Sequence, residues 1–555
     1  MLRQGCRKLW MAGCVLSCML SCSLAGAQST ELTSHDNHAL LYAHQLGFSS
    51  QGTPNIRMRI ADGLSVLRFT PKEDFVVMPA VSGGCIVKLK GGKTYEVTIS
   101  NAKPGDYQYG AIVARSETPD GLKNAAEMCS HASIATENVP VGSVFALKGH
   151  VFDNRENLLM TKRTSDLVST EALMKSVPQD SSVDGPEIYR ELMTYPTASI
   201  SLKDTSGNVQ IEHQNLLWIE LPDSGAVFHD IEGEDGKKND MLLNAQIVVT
   251  PDQAGKLAVV QSADVETILR GIVPAEIFAS APEAALMAQS IAARTTLIAQ
   301  AGTRHSADPW HVCNKQHCQV YRGLSGADPR TDKAIEKTRG QILFSDKKLV
   351  HSYYSAHCGG ISAGSHETWG LSEKSYLVSR TDDAAEKSPK FKSDADFIKW
   401  WQKGSDMYCS GAPEGQQAFT STKHARWDVR LTREELEALM TKAGKSVGQI
   451  SDISVIERGA SFRVTKLRIT GTKGRVEAAK ELPIRRLLGG LKSALFAMEI
   501  EKSGNQINAV HIYGAGFGHG VGLCQTGAIG MAQRGKTAQE ILMHYYPGTR
   551  IETLW

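Results

Sequence analysis

"GIVPAEIFASAPEAALMAQSIAARTT" runs from Gly271 to Thr296. An apolar, strand-like piece meets Pro274, shows one carboxylate at Glu276, and then turns into an alanine-rich helix. Ser280-Ala281-Pro282-Glu283 has the spacing of a capping box, with Ser280 as N-cap, Glu283 three residues later and Pro282 in the first turn. The helix it predicts runs to about Ala301 and stops at Gly302. Alanines at 284, 285, 288, 292 and 293 leave little side-chain bulk, so this helix can lie close against a neighbour. Glu276 falls on the connecting turn just before the cap, walled by Ile272, Val273, Pro274, Ile277 and Phe278. Apolar surroundings disfavour the charged carboxylate, so its pKa rises and it can hold a proton near neutrality, as a general acid must. The same local features also suit a surface turn glutamate with no chemical role. Glu266, one helical turn from Arg270, reads as half of a solvated ion pair.

The chain has 555 residues, enough for two or three domains, and its 41% hydrophobic and 22% charged content is that of a soluble globular protein. A net charge of +2 gives no global electrostatic case for nucleic acid or anionic membranes as partners. Residues 1–27 read as an export signal: Arg3, Arg7 and Lys8, an apolar run from Leu9 to about Leu24, and Ala25-Gly26-Ala27 as the cleavage site. That run is short of the ~20 residues a membrane span needs. A lipoprotein acylated at Cys18 or Cys22 is the alternative reading. The expected location is therefore outside the cytoplasm, in the periplasm or cell envelope. Four of the 11 cysteines lie in the signal, and the odd remainder leaves at least one outside any intramolecular disulfide. Cys85 and Cys129 are candidate partners.

Residues 28–53 are polar and read as a loose segment. From 54 to 151, short alternating runs such as "IRMRI", "SVLRF" and "TYEVTIS" between Gly, Asn and Asp turns predict a small β-rich domain. Residues 152–197 have weak helical periodicity and read as a helical connector. Strands resume in a region from 198 to 555, interrupted at about 384–445 by a mostly helical insertion containing the amphipathic "REELEALMTKAG". The expected class is α+β, a mixed α/β catalytic region preceded by the β-rich domain.

"VETILRGIVPAEIFASAPEAALMAQSIAARTT", "HCQVYRG", "HSYYSAHCGGISAGSHETWG", "IRRLLGGLKSALF" and "GAGFGHGVGLCQTGAIGMAQRGKTAQEILMHYYPGT" occur in the order seen in the SpoIID/LytB family, which the chain resembles over about residues 200–555. The resemblance implies a lytic transglycosylase of peptidoglycan. Such enzymes cleave the β-1,4 bond between N-acetylmuramic acid and N-acetylglucosamine, leave a 1,6-anhydro-muramyl end, and favour glycan strands stripped of stem peptides. The family's catalytic glutamate, in its V-P-x-E motif, maps onto Glu276. LytB-type members are described instead as enhancers of a cell-wall amidase, so a non-catalytic peptidoglycan-binding role is the alternative, and an amidase is an expected partner. Ordinary glycosidases need two carboxyl groups. Here the sugar's own C6 hydroxyl attacks, so one acid suffices.

His305, His311, Cys313, His317 and Cys318 fall within fourteen residues, a cluster suited to a structural zinc. The resemblance implies two Cys and two His as ligands. Cys313, His317 and Cys318 are expected ligands, with His305 or His311 as the fourth; His305 closes the wider loop. A Cys313–Cys318 disulfide is the competing reading, and a zinc hydrolase a third functional class. Tyr354, Ser355 and Trp369 are candidate sugar contacts, as are His519 and Gln525 beside the glycines of 514–522. The family's Met-Ser before the glutamine is Leu523-Cys524 here. Arg294 is a candidate to orient Glu276 or bind glycan. Cys358 beside His357 lacks a surrounding cysteine-peptidase motif.

Overall fold

Alternating burial builds the first long strand. In Pro54–Leu64 the side chains of Ile56, Met58 and Ile60 are buried, while Asn55, Arg57 and Arg59 between them stay half-exposed. A strand with one apolar face needs neighbours on both edges. In the computed structural model it finds one 200 residues downstream: Leu257–Asp264 pairs with it antiparallel, with Ile56 opposite Ala263 and Arg59 opposite Val260. The structure describes residues 34–78, 86–147, 149–177, 187–207, 209–346, 348–371, 373–383, 389–404, 406–410, 422–504 and 506–555.

That pairing belongs to a large mixed sheet. Its main path runs Gly47–Phe48, Pro54–Leu64, Leu257–Asp264, Lys238–Pro251, Leu217–Glu232, Val66–Pro71, Tyr95–Lys103, Thr197–Asp204, Gln210–Gln214. Residues 54–151 therefore do not form a sheet of their own. Their first strands complete the sheet of the later region, and Asp106–Ser116 and Thr136–Val141 belong to a separate four-stranded sheet. The other two strands of that second sheet, Glu156–Thr161 and Glu187–Thr194, come from the expected helical connector, where the described helix is Leu167–Ser176. Periodicity in short polar stretches is weak, and sheet pairing decided them. The expected loose segment is also corrected: Ser34–Tyr42 is a helix, and its Leu41 packs with Leu216, Val248 and Trp310. The export-signal reading and Cys85 lie outside the described residues.

Glu283–Gln300 is the central helix. From Ala285 to Gln300 every residue except Met287 is buried, as an alanine-rich helix clasped on all sides requires. Val265–Glu276 and Gln525–Gln533 pack on it. The fold is α+β, as expected.

Within the expected insertion at 384–445 the described residues form the helices Asp394–Lys403, Thr422–Ala425 and Arg433–Lys442 and one strand, Trp427–Thr432, and further strands follow. Trp427–Thr432 pairs with Gln506–Gly514, which pairs with Phe496–Ser503, and Ile450–Arg458, Val464–Gly471 and Gly474–Ala479 form a further sheet. With the Arg433–Lys442 helix they enclose a separate core including Leu436, Ile453, Leu467, Ile484 and Val510. Among the described residues no helix is long and apolar enough to cross a membrane.

Candidate active site and metal-binding cluster

Glu276 is the last residue of the Val265–Glu276 helix, not a residue of the following turn. Asp264 caps the helix start by accepting from the amides of Glu266 and Thr267. Val265, Ile268, Leu269, Ile272 and Val273 anchor the helix in the main core. Its exit turn carries Glu276 out of that core to a half-buried position. The next helix starts at Glu283 with Pro282 in the cap position and no side-chain cap bond, so the expected Ser280 capping box does not form. Two close approaches fix what faces Glu276. A Cβ on Gly271 would stand 2.3 Å from the Tyr321 ring, so only glycine lets the segment after Cys318 lie against the helix. Tyr321 is held in turn by its hydroxyl, which donates to Gln261 at 2.5 Å.

In that arrangement the Val320 amide donates to Glu276 Oε1 at 2.9 Å. Burial pushes the Glu276 carboxyl up to about 7, and the Val320 amide, the Arg322 charge and Tyr354 oppose the rise without cancelling it. The Tyr354 hydroxyl donates to Gln319 Oε1 at 2.7 Å and also hydrogen-bonds the Glu276 side chain. Val320 and Tyr354 therefore favour the ionised Glu276 carboxyl, while burial favours the protonated one. The group is thus arranged to hold and release a proton near neutrality.

One wall continues from Tyr354. His519 hydrogen-bonds the Tyr354 backbone, and burial together with Arg463 lowers its pKa to about 3, which keeps the imidazole neutral. Its ring lies 4.9 Å from that of Trp369, which meets Tyr353 edge-on at 4.8 Å. Ser355 sits beside Tyr354 on a short strand parallel to Leu523–Cys524. Gln525 is buried and donates to Gln289 of the central helix at 3.4 Å.

Two residues before Val320 the chain leaves a compact donor cluster. One ligand atom each from His305, Cys313, His317 and Cys318 lies within 4.8 Å of all the others. Cys318 Sγ is 3.4 Å from His305 Nε2 and 3.5 Å from His317 Nδ1, and Cys313 Sγ is 3.8 Å from His317 Nδ1. Both sulfurs are free thiols, so the competing disulfide is not formed. Asp308 Oδ2 sits 3.0 Å from His305 Nδ1, the outer carboxylate that orients a ligating imidazole. His311 does not belong to the cluster: its Nδ1 accepts the Arg57 amide at 3.1 Å, inside the core. Four such donors can hold a metal ion.

Comparison with known proteins bears directly on this arrangement. Residues 253–344, which contain Glu276 and all four donors, match the family model described as Stage II sporulation protein, SpoIID. Residues 253–344 are thus a SpoIID-family region. The Stage II sporulation protein D of Bacillus amyloliquefaciens is 28% identical, over 53% of this chain and 75% of that one. The protein of Bacillus subtilis (strain 168) named Amidase enhancer is also 28% identical, over 51% of this chain and only 40% of its own length. An uncharacterized protein of Brachyspira hyodysenteriae (strain ATCC 49526 / WA1) is 25% identical, over 53% of this chain and 68% of that one. Residues 363–522 match a second model, a domain of unknown function (DUF8618).

Around this SpoIID-family region two sequence readings are corrected. Arg294 does not face a cleft. It is fully buried and bidentate to Glu266, Nε to Oε1 at 3.0 Å and Nη2 to Oε2 at 2.6 Å. Glu266, expected in a solvated pair with Arg270, is that buried partner, and also accepts from Gly340 and Trp555. Arg270 pairs with Asp332 instead. An i,i+4 spacing signals a local pair, but nothing local shows a partner 28 residues away. A surface depression of about 540 Å³ lined by Asp264, Glu266, Arg270 and Arg339 lies at the opposite end of the Val265–Glu276 helix from the acid. The glycine-rich 514–522 loop packs on its own chain: at Gly522, with φ 70°, a Cβ would stand 2.0 Å from the Tyr353 carbonyl. Val320, Gln319 and Arg322 were missed as site residues, although "HCQVYRG" contains all three. Asp308 was legible as His305-x-x-Asp308, a carboxylate one turn from a candidate ligand.

Proposed function

We propose that this chain is a peptidoglycan lytic transglycosylase that cleaves the N-acetylmuramic acid–N-acetylglucosamine β-1,4 bond of stem-peptide-stripped strands, with Glu276 as its single general acid and base. The observation that carries the reading is the state of Glu276: a half-buried carboxyl raised to about 7, hydrogen-bonded to Val320, at the rim of a wall of Tyr354, Ser355, His519 and Trp369. Protonated Glu276 donates to the bridging oxygen as the bond to the muramyl anomeric carbon breaks, and the electron pair stays on that oxygen. The muramyl C6 hydroxyl attacks the anomeric carbon, closing the 1,6-anhydro ring. Its proton passes to the Glu276 carboxylate, which restores the acid without consuming water. Trp369 offers an apolar ring face for a sugar, and Tyr354, in contact with Glu276, favours the carboxylate that forms once the proton has left.

His305, Cys313, His317 and Cys318 fit zinc. A tetrahedron with ~2.3 Å Zn–S and ~2.0 Å Zn–N bonds has edges of about 3.3–3.8 Å, close to the separations found. Bound zinc would supply a structural cross-link, since four protein ligands leave no open position for a catalytic water. Its work here would be to fix Cys318 and thereby the Val320 amide on Glu276. A glycan substrate of this kind is met outside the cytoplasm, in the periplasm or cell envelope, which agrees with reading residues 1–27 as an export signal.

The 28% match to a protein named Amidase enhancer favours a second reading, a non-catalytic glycan-binding partner of an amidase. One experiment separates them. The protein is incubated with denuded glycan strands and the products are read by mass spectrometry. Anhydro-muramyl ends from wild type and none from Glu276→Gln support the enzyme. Glycan binding with no such ends from wild type, and faster release of stem peptides from intact, peptide-bearing peptidoglycan when the protein is added to an amidase, support the enhancer.

A further inference from the structure

The second cluster of convergent donors is fully buried and plays no part in the acid site. Cys358, Asp382, Cys409 and Cys524 each offer one ligand atom, and these atoms all lie within 4.8 Å of one another. Cys358 Sγ and Cys409 Sγ are 3.7 Å apart, far beyond a disulfide bond. That separation matches the ~3.8 Å edge of a tetrahedron built on ~2.3 Å metal–sulfur bonds.

We propose that Cys358, Asp382, Cys409 and Cys524 form a second binding site for a thiophilic divalent cation of the zinc class. Three thiolates and one carboxylate make a closed four-donor set, which is a structural site. The surroundings are those of a charged cluster rather than of scattered core cysteines. The Cys358 amide donates to Cys524 Sγ at 3.1 Å, the Gly527 amide to the same sulfur at 3.3 Å, and the Gly360 amide to Cys358 Sγ at 3.4 Å. Asp382 is equally held: Oδ2 accepts the Cys409 amide at 2.8 Å and Oδ1 the Tyr545 hydroxyl at 2.5 Å, which leaves lone pairs for a metal. A Cβ at Gly527 would stand 1.9 Å from the Tyr545 oxygen and 2.7 Å from Asp382 Oδ1, so the cradle depends on that glycine.

Charge points the same way. Four anionic ligands around a dication leave two negative charges in the core. Arg463, 2% exposed, donates to the Cys358 carbonyl at 2.7 Å, and Arg426 to the Gly359 carbonyl at 3.2 Å, so two guanidinium groups stand next to the cluster. The placement also has a structural consequence. Cys358 lies just before and Cys524 just after residues 363–522, while Asp382 and Cys409 lie inside them. An ion here ties both ends of that domain to the short parallel pair Tyr354–Ser355 and Leu523–Cys524.

Cadmium-113 NMR of the full-length chain loaded with cadmium tests the site. A three-sulfur, one-oxygen ion resonates downfield of a two-sulfur, two-nitrogen ion, so the two clusters read separately. The expected result is a three-sulfur resonance that shifts in Asp382→Asn and disappears in Cys409→Ser, while any two-sulfur resonance stays. The wild-type spectrum decides even where a variant fails to fold. No three-sulfur resonance from folded wild type overturns the proposal. So does an intact mass two hydrogens light, with Cys358 and Cys409 recovered in one cross-linked peptide.

Discussion

The Val320 amide donates to Glu276 Oε1 at 2.9 Å, and Val320 stands two residues beyond Cys318. The donor cluster and the acid are therefore mechanically continuous. The loop that the four donors close ends by setting a backbone hydrogen bond on the proposed proton donor. Because that bond favours the ionised form while burial favours the neutral one, the balance between loop position and desolvation tunes the acid.

Activity should follow that balance. With the carboxyl at about 7, the protonated enzyme dominates below neutrality, and the rate of anhydro-muramyl formation should fall tenfold per pH unit above about 7. Glu276→Gln should lose roughly 10²–10⁴-fold in kcat with binding retained. Rates read by product mass spectrometry across pH check both; a flat profile from pH 6 to 9 contradicts the assignment.

Stability carries the opposite cost. A carboxyl raised from 4.5 to about 7 binds more protons folded than unfolded between those values, so stability falls as pH rises through that window and levels off above it. The ceiling is about 3 kcal/mol, and partial exposure reduces the expected loss to roughly 1–2 kcal/mol. Glu276→Gln should remove this slope, so it gains on wild type at pH 8 but not at pH 4. Urea melts at the two pH values measure the difference.

Metal removal should act on the acid through its loop. Chelation is expected to lower Tm and weaken glycan cleavage together. Asp308→Ala, which frees His305 Nδ1, should weaken metal affinity by roughly 10–100-fold with the four donors still present. Competition with a chromophoric chelator gives the affinity, and unchanged binding in Asp308→Ala contradicts the cluster as a metal site.

Arg294 should matter for folding and not for glycan. Arg294→Ala leaves the Glu266 carboxylate buried without its bidentate partner, a loss of roughly 3–5 kcal/mol. Adding Glu266→Gln should recover part of it, because the stranded charge is then gone. A denaturant double-mutant cycle reads the coupling, and independent, additive losses contradict it.

The linear pattern singled out Glu276 as a candidate acid and Cys313, His317 and Cys318 as candidate donors, and it carried the α+β class. Each is encoded within a few residues: Pro274-Ala275-Glu276 at a helix exit, and Cys313, His317 and Cys318 spaced to converge on one point. Tertiary structure decided what depends on partners far along the chain. It chose His305 over His311, because Arg57 claims the latter's Nδ1, and it turned Arg294 inward to Glu266. It merged the supposed leading domain into the main sheet, because a strand's register is set by the strand beside it and not by its own residues. It also gathered Cys358, Asp382, Cys409 and Cys524 from four separate segments, since donors brought together only by folding leave no spacing to read.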